Sequence, residues 1–162
     1  MSRAAITDIV NFLRIDPALA TSGQPSEEEL AAVARDGIEV VINLALHDDP
    51  RYALADEPGT VAALGMTYVH IPVKFDAPKE SELFEFFEVM ERHRGRKLLV
   101  HCAANKRVTA FVGLYRTIRE GRDVERAFAP MQQIWEPNAA WAPFIAEMLA
   151  KHAASGRAEP RR

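Results

Sequence analysis

The fold of this protein is decided by residues 97–107, which read Lys97-Leu98-Leu99-Val100-His101-Cys102-Ala103-Ala104-Asn105-Lys106-Arg107. Leu98, Leu99 and Val100 form a short, continuous apolar run, which is typical of a parallel strand covered on both faces. Directly after the loop, apolar side chains recur at helical spacing, at Val108, Phe111, Val112, Tyr115 and Ile118. The segment therefore predicts a buried strand, a short polar loop and a helix over about 108–120.

The loop between this strand and helix carries Cys102, the only cysteine of the chain. The first amides of a helix have no partner within it and carry a partial positive charge, so they favour a thiolate or a phosphate in such a loop. Lys106 and Arg107 add two cations. Because cysteines in these surroundings ionise at about pH 3.5 to 7.5, Cys102 is predicted to be a nucleophilic thiolate. The alternative is a small, inert core residue.

Length and composition limit the class of protein. The chain has 162 residues, 48% hydrophobic and 27% charged, with a formal net charge of -3. These values predict one globular domain over 1–154 and a polar tail over 155–162. A single cysteine excludes an internal disulfide, and no apolar run reaches the roughly 20 residues needed to span a bilayer. We therefore expect a cytoplasmic protein with no nucleic-acid or membrane partner; the sequence predicts no particular oligomeric state.

Helical and strand patterns alternate in the first hundred residues. Ser26 and Glu29 have the spacing of a capping box, which marks a helix start. The predicted elements, in chain order, are a helix over 26–37, a strand over 38–46, a helix over 56–64, a strand over 68–73 and a helix over 78–95.

The segment that follows the cysteine loop is predicted to be helical to the end of the domain. Gly121 ends the first helix, Asp123 caps the second, and Pro130 kinks or ends that second helix. Asn138 is predicted to cap a last helix. Strands separated by helices imply right-handed crossovers. The predicted fold class is therefore α/β: a single domain with a mostly parallel central sheet and helices on both faces.

Asp76 is a candidate neighbour of the thiol. In sheets of this kind ligands bind beyond the carboxyl ends of the strands, and both Cys102 and the segment 72–78 lie at such ends. A carboxylic acid there can protonate a leaving oxygen, which accelerates a reaction by roughly 10² to 10⁴. Asp76 is therefore a candidate general acid; the alternative is that it caps the helix that begins near Pro78.

The remaining polar residues are not predicted to have catalytic or metal-binding roles. The histidines lack the paired spacing of metal ligands, so we expect no metal and no cofactor; they are His47, His70, His93, His101 and His152. Gln24 lies in a Ser-Gly-Gln-Pro turn and is expected to connect two elements. Asn43 is expected to satisfy buried backbone or loop groups.

Several of these segments together resemble a known family. The motif from His101 through Cys102 to Arg107, the loop with Asp76 and the strand that contains Asn43 resemble the protein-tyrosine and dual-specificity phosphatase superfamily. The Ser-Gly-Gln-Pro turn at 22–25, together with His101 through Arg107, resembles more specifically a bacterial phosphatase-like group, which includes the domain found beside β-lactamase-fold hydrolases. The resemblance covers about residues 15–150.

The resemblance implies a mechanism and a set of site residues. Cys102 would attack the phosphorus of a phosphomonoester to give a thiophosphate, and Arg107 would clamp the phosphate oxygens. Asp76 would protonate the leaving group and then activate water. The other residues implied to hold the thiolate or the phosphate are His101, Ala103, Ala104, Asn105, Lys106, Val108 and Thr109.

The loop departs from the family pattern in length. The phosphatase loop has five residues between cysteine and arginine, usually with a glycine, whereas this chain has four and no glycine. Without a gap, Val108 takes the place of the arginine and Thr109 keeps that of the hydroxyl residue that aids release of the intermediate. With a one-residue deletion, Arg107 recovers its role and the anion cradle becomes smaller.

The shorter loop leaves other functions open. It resembles that of rhodanese-type sulfurtransferases, which carry a persulfide on the cysteine and need no acid for the leaving group. The third alternative is an inactive phosphate-binding or interaction domain. The expected partner is a phosphorylated small molecule or a phosphoprotein, or, for sulfur transfer, a sulfur donor and acceptor.

Overall fold

A computed structural model describes residues 3–47 and 53–153. The predicted boundary between domain and tail at 154/155 lies outside the described residues, as does the tail. The strands are β1 (Leu13–Asp16), β2 (Leu19–Ser22), β3 (Val40–Asn43), β4 (Thr67–His70) and β5 (Leu98–His101). The helices are α1 (Glu27–Arg35), α2 (Glu57–Ala63), α3 (Glu80–Arg92), α4 (Lys106–Ile118), α5 (Val124–Ile134) and α6 (Trp141–Met148).

The sheet has the order β1-β2-β5-β3-β4, with β5 at its centre. The pairs β2–β5, β5–β3 and β3–β4 are parallel, which confirms the predicted α/β fold. Only the edge strand β1 runs antiparallel, in a hairpin with β2 that the sequence analysis did not predict. Two strands of four residues joined by a short turn are too brief to give a clear periodicity.

Residues of β5 alternate between two hydrophobic layers. Leu98 and Val100 pack on the side of α3 to α6, whereas Leu99 packs on the side of α1 and α2. The layers are separate because successive side chains of a strand point to opposite faces. His101 and Cys102 continue this alternation, and Cys102 joins the layer under α3 to α6.

The predicted helix starts agree with the structure at the capping residues. The Ser26 hydroxyl accepts from the Glu29 amide at 3.1 Å, and the Glu29 carboxylate accepts from the Ser26 amide at 2.9 Å. Asp56 and Asp123 cap α2 and α5. Helix α6 differs, because its N-cap is Ala140 and not Asn138, although the Asn138 side chain accepts from the Ala140 and Trp141 amides at 3.0 and 3.1 Å.

Two predicted helix starts are wrong by two residues. Helix α4 begins at Lys106 rather than near Val108, directly after Asn105, its N-cap, which has a left-handed backbone conformation. Helix α3 begins at Glu80, two residues after Pro78, and its first turn is closed by the Glu82 carboxylate, which accepts from the Lys79 amide at 3.0 Å. Of the two alternatives for Pro130, a kink or an end of the helix, the end is excluded, because α5 continues to Ile134.

The late start of α3 removes one alternative for Asp76. The N-cap of α3 is Lys79, so Asp76 lies outside the helix and does not cap it.

Among the described helices, none is long and apolar enough to cross a membrane.

Candidate active site

Cys102 lies directly beyond the carboxyl end of the central strand β5, as predicted. Its side chain is buried, and its amide donates to the Ser22 carbonyl of β2 at 3.3 Å. On the other side of β5, the Leu44 amide that follows β3 donates to the His101 carbonyl at 2.8 Å. The thiol is therefore held at a fixed position by both neighbouring parallel strands.

The loop after Cys102 is fastened to the hairpin side of the sheet. The Gln24 amide donates to the Ala103 carbonyl at 3.0 Å, and the Asn11 side-chain amide donates to the Ala104 carbonyl at 2.9 Å. Gly23 allows this close approach: a Cβ atom there would lie 2.5 Å from the Ala103 oxygen and 3.1 Å from the Ala104 Cα atom. The Ser-Gly-Gln-Pro turn is thus one wall of the cysteine loop.

We expect Gly23→Ala to displace the loop. The new methyl group meets backbone atoms, which cannot move away as a side-chain end can, so the free energy of unfolding should fall by about 1 to 3 kcal/mol. Urea unfolding measures this loss, and the kcat/KM for an aryl phosphate should fall with it. Gly95→Ala is the control, because Gly95 has a φ of 90° and open space around it. That variant should lose stability with no effect on kcat/KM; a fully stable, active Gly23→Ala variant would contradict the expectation.

Asn105 closes the loop without a glycine. Its φ of 68° is in the left-handed region, which asparagine tolerates better than most other residues. Its side-chain amide donates to the Asn11 carbonyl at 2.7 Å and to the Thr21 hydroxyl at 3.0 Å. A loop of only four residues between Cys102 and Arg107 can therefore reverse the chain direction and start α4.

Thr109 holds the first turn of α4 in place. Its hydroxyl donates to the Asn105 carbonyl at 2.9 Å and accepts from the Trp135 indole at 3.3 Å. Thr109 is buried, and its hydrogen bonds run to the loop backbone and to Trp135, the residue directly after α5. The amides of the first turn remain without partners inside the helix, so the start of α4 can bind an anion.

Arg107 lies in the first turn of α4 and reaches towards the segment after β4. Its Nη1 donates to the Val73 carbonyl at 2.8 Å, and the side chain is only 8% exposed. Its Nε is also buried, and no described residue accepts a hydrogen bond from it. Val108, by contrast, is buried in the hydrophobic layer under α3 to α6. The geometry favours the register in which Arg107 takes the place of the family arginine.

A cavity of about 160 Å³ lies between the cysteine loop and the segment after β4. It is lined by Cys102, Ala103, Ala104, Lys106, Arg107 and Phe75. The structure thus brings together five of the predicted site residues. The predicted residues that do not line this cavity are His101, Asn105, Val108, Thr109 and Asp76.

Phe75 and Lys106 form the rim of the cavity, and Phe75 was missed by the sequence analysis. Phe75 is 37% exposed, and the centroid of its ring lies 5.6 Å from that of the Trp135 ring. The Lys106 Nζ lies 5.9 Å from the centroids of both rings. The position of Phe75 beside Asp76 could have drawn attention to it, since it is an aromatic residue in a loop predicted to face the ligand.

Asp76 is exposed and follows Phe75 in the turn between β4 and α3. The Phe75 carbonyl accepts from the Trp141 indole at 2.6 Å, which fastens this turn to α6. Arg107 holds the same segment through its hydrogen bond to the Val73 carbonyl. Asp76 therefore lies one residue after the aromatic residue that lines the cavity, in a segment held by Arg107 and Trp141.

His101 lies behind the loop, on the opposite face of the sheet from the cavity. Its Nε2 lies 2.5 Å from the Glu57 Oε2 atom, and both side chains are 0% exposed. The Gln24 side-chain amide donates to the second Glu57 oxygen at 3.0 Å. Burial by itself raises the pKa of the Glu57 carboxyl, but the hydrogen bond and the charge of His101, with the Gln24 bond, outweigh burial and lower this pKa.

Glu57 was missed by the sequence analysis as a site residue. Its neighbours Asp56 and Pro58 indicate only a helix start, and acidic residues are common in a first turn. Nothing in the local pattern signals that this carboxylate is buried against a strand 44 residues further along the chain.

The comparisons with known proteins agree with this geometry. The family model described as DSP-PTPase phosphatase fused to NAD+ kinase matches residues 8–142. A DUF442 protein from Shewanella putrefaciens CN-32 is 32% identical, with 91% of this chain and 96% of that chain covered and a TM-score of 0.81. Tk-PTP in its active form is 25% identical, with 89% and 97% covered and a TM-score of 0.70.

P. aeruginosa TpbA, whose structure contains phosphotyrosine, has the same fold at 21% identity, with 81% of this chain and 76% of that chain covered and a TM-score of 0.60. A search of curated proteins finds no significant match. The family model nevertheless covers most of the chain. The protein therefore belongs to the protein-tyrosine and dual-specificity phosphatase superfamily, as the sequence motifs predicted.

Proposed function

We propose that this protein hydrolyses phosphomonoesters, phosphotyrosine or small phosphate esters, through a thiophosphate on Cys102. The proposal rests on the hydrogen bonds that the Arg107 guanidinium makes and lacks. One nitrogen of its guanidinium is bound by Val73, while the buried Nε has no acceptor among the described residues and the side chain lines the cavity with the thiol. A buried donor without an acceptor calls for an explanation, and a bound phosphate supplies one, with the short, charge-assisted bonds that arginine favours.

The first step of the proposed reaction is transfer of the phosphoryl group to sulfur. The Cys102 thiolate attacks the phosphorus, the S–P bond forms, and the bond from phosphorus to the ester oxygen breaks. The leaving oxygen takes a proton from the Asp76 carboxyl. Arg107 and the amides at the start of α4 hold the other phosphate oxygens, where negative charge is balanced by the helix end.

The second step is hydrolysis of the thiophosphate. Asp76, now a carboxylate, takes a proton from a water molecule, whose oxygen attacks phosphorus. The S–P bond breaks, phosphate leaves, and the thiolate is restored. Thr109 and Asn105 support this step indirectly, because their hydrogen bonds hold the loop in one shape.

The rim of the cavity suits an aromatic leaving group. Phe75 offers a partly exposed ring next to Cys102, and aromatic rings pack well against one another. Aryl phosphates are therefore suitable test substrates. Phenyl phosphate and p-nitrophenyl phosphate differ in how strongly loss of the leaving group depends on a general acid. Phenolate is a poor leaving group that needs a proton, whereas p-nitrophenolate leaves readily without one.

We expect Asp76→Asn to separate these two substrates. With phenyl phosphate, kcat/KM should fall by roughly 10² or more, since the amide cannot donate a proton in the same way. With p-nitrophenyl phosphate, the fall in kcat/KM should be much smaller, because kcat/KM reports the steps up to loss of the leaving group and not the later hydrolysis of the thiophosphate, which both substrates share. Steady-state kinetics on both substrates provides the measurement. Asp16→Asn is the control, because the new amide oxygen can still accept from the Ala18 amide, as Asp16 does at 2.8 Å.

Equal losses on the two substrates would exclude Asp76 as the general acid.

The alternative functions of the whole protein are tested with the same substrates, with thiosulfate and with inorganic phosphate. Cys102-dependent sulfur transfer from thiosulfate, with neither phosphate ester hydrolysed, would replace the proposal by a sulfurtransferase. Binding of inorganic phosphate with no turnover of either kind would replace it by a binding domain.

A further inference from the structure

The two ring nitrogens of the buried His101 each face a hydrogen-bond acceptor. His101 Nε2 faces the Glu57 carboxylate at 2.5 Å, and His101 Nδ1 lies 3.3 Å from the Cys102 carbonyl. A backbone carbonyl can only accept, and so can an ionised carboxylate. The pKa of Glu57 is lowered in spite of its burial, so the ring faces a carboxylate on one side and a carbonyl on the other. A ring that donates from both nitrogens, the imidazolium, is the form that fits these two acceptors.

The His101 ring belongs to the residue directly before Cys102, and its Nδ1 lies beside the Cys102 carbonyl oxygen. A positive charge on this ring favours the thiolate of Cys102 over the thiol. A charged ring that is 0% exposed needs a counterion, because an unpaired charge in the protein interior loses its solvation. Glu57 is that counterion.

Glu57 also holds the other side of the cysteine loop. Its Oε1 accepts from the Gln24 side chain at 3.0 Å, and the Gln24 main-chain amide donates to the Ala103 carbonyl at 3.0 Å. The single carboxylate therefore fixes the residue before Cys102 directly and the residue after it through Gln24.

We propose that Glu57 is a positioning residue that keeps His101 cationic and thereby holds Cys102 as a thiolate. This inference rests on the proposed function in one respect only, namely that the thiolate is the nucleophile. Glu57 itself touches neither the cavity nor the thiol and acts through His101 and Gln24.

Other titratable groups on this face of the sheet do not replace His101 as the partner. His47 is the second histidine whose charge lowers the pKa of Glu57. The centroid of its ring lies 4.4 Å from that of His70, and the two rings are stacked. Burial and the neighbouring His70 and His101 lower the pKa of His47, although Glu57 opposes them. Tyr68, which donates to or accepts from His47 at 3.2 Å, has its pKa raised to about 12 by burial and stays neutral. His101 is therefore the cation that Glu57 balances.

The test is Glu57→Gln in the full chain. The change removes the charge and keeps the shape, and the amide oxygen can still accept from a neutral His101. Because Cys102 is the only cysteine, the ultraviolet absorbance of thiolate against pH, with Cys102→Ser as the blank, reports this one sulfur. We expect the pH of half-ionisation to rise by about one unit. The ¹⁵N shifts of the His101 ring should change from those of an imidazolium to those of a neutral tautomer.

Glu80→Gln is the matched control. Glu80 is likewise the first residue of a helix, and its carboxylate is bound by a histidine, His152, at 2.6 Å. This variant loses the same charge away from the cysteine loop, so the thiolate titration should not move. Glu57→Asp is the second variant: it keeps the charge and shortens the reach, so it should lose stability and leave the half-ionisation pH close to that of the wild type.

An unshifted titration in Glu57→Gln, or a neutral His101 in the wild type, would overturn the inference and leave Glu57 a purely structural residue. If Glu57→Gln does not fold, Glu57→Asp decides: a titration raised by a full unit in that variant contradicts the role of the charge. These readouts need no turnover. A shifted titration in a protein that hydrolyses no phosphate ester would uphold the inference and refute the proposed function.

Discussion

Cys102→Ser should abolish the hydrolysis of aryl phosphates, with a fall in kcat on the order of 10⁴ or more. A serine hydroxyl is not ionised at neutral pH and cannot form the S–P bond, while the loop amides and Arg107 that hold the phosphate remain. Phosphate release measured in the steady state gives the rate. Acid quenching of the wild-type enzyme during turnover, followed by mass spectrometry, should reveal a phosphoryl group on Cys102, and the variant should carry none.

The control for this variant is binding rather than catalysis. Inorganic phosphate should still bind to Cys102→Ser with an affinity within a few-fold of the wild type, since its contacts come from the cavity wall and the start of α4. Unfolding by urea should show that the fold is retained. Residual turnover close to that of the wild type would mean that the thiol is not the nucleophile.

Arg107→Lys should lower kcat/KM for phosphate esters by about 10³-fold. The substitution keeps the charge and removes the planar fork, so the bond to Val73 and a two-point contact with phosphate cannot both be made. Because charge on the phosphate oxygens is greatest in the transition state, kcat should fall more than substrate binding weakens. Steady-state kinetics, together with phosphate binding measured by calorimetry, separates the two effects.

Arg119→Lys is the matched control for this change. Arg119 directly follows the last residue of the same helix and binds Glu91 at the protein surface, at 2.9 Å. Surface ion pairs contribute little, so this variant should keep the wild-type kcat/KM. Full activity in Arg107→Lys would argue for the other register of the loop, in which position 107 does not clamp the phosphate.

The sequence was sufficient for features that depend on neighbours in the chain. The apolar run of 98–100, followed by apolar residues at helical spacing, correctly predicted strand, loop and helix around Cys102. The Ser26 and Glu29 spacing correctly predicted the start of α1. Each of these signals is contained within about ten residues, because hydrophobic periodicity and capping are local properties.

The arrangement of the site required contacts between distant segments. The sequence left two registers for Arg107, and only the structure shows that its side chain reaches the Val73 carbonyl, 34 residues earlier, and lines the cavity beside Cys102. Asn105 takes the left-handed backbone conformation in a loop without glycine, and its side-chain amide is bound by Asn11 and Thr21 from distant segments. The roles of Asp76 and of the loop amides stay predictions until the kinetic experiments are done.

What the sequence by itself determined was the α/β class, the position of Cys102 at the end of a central strand and the phosphatase family. What only the tertiary structure decided was which side chains meet: Arg107 and Phe75 around the thiol, and Glu57 against His101 behind it. The physical reason is that secondary structure follows from local periodicity, whereas burial of a charge pair depends on how separate strands and helices pack.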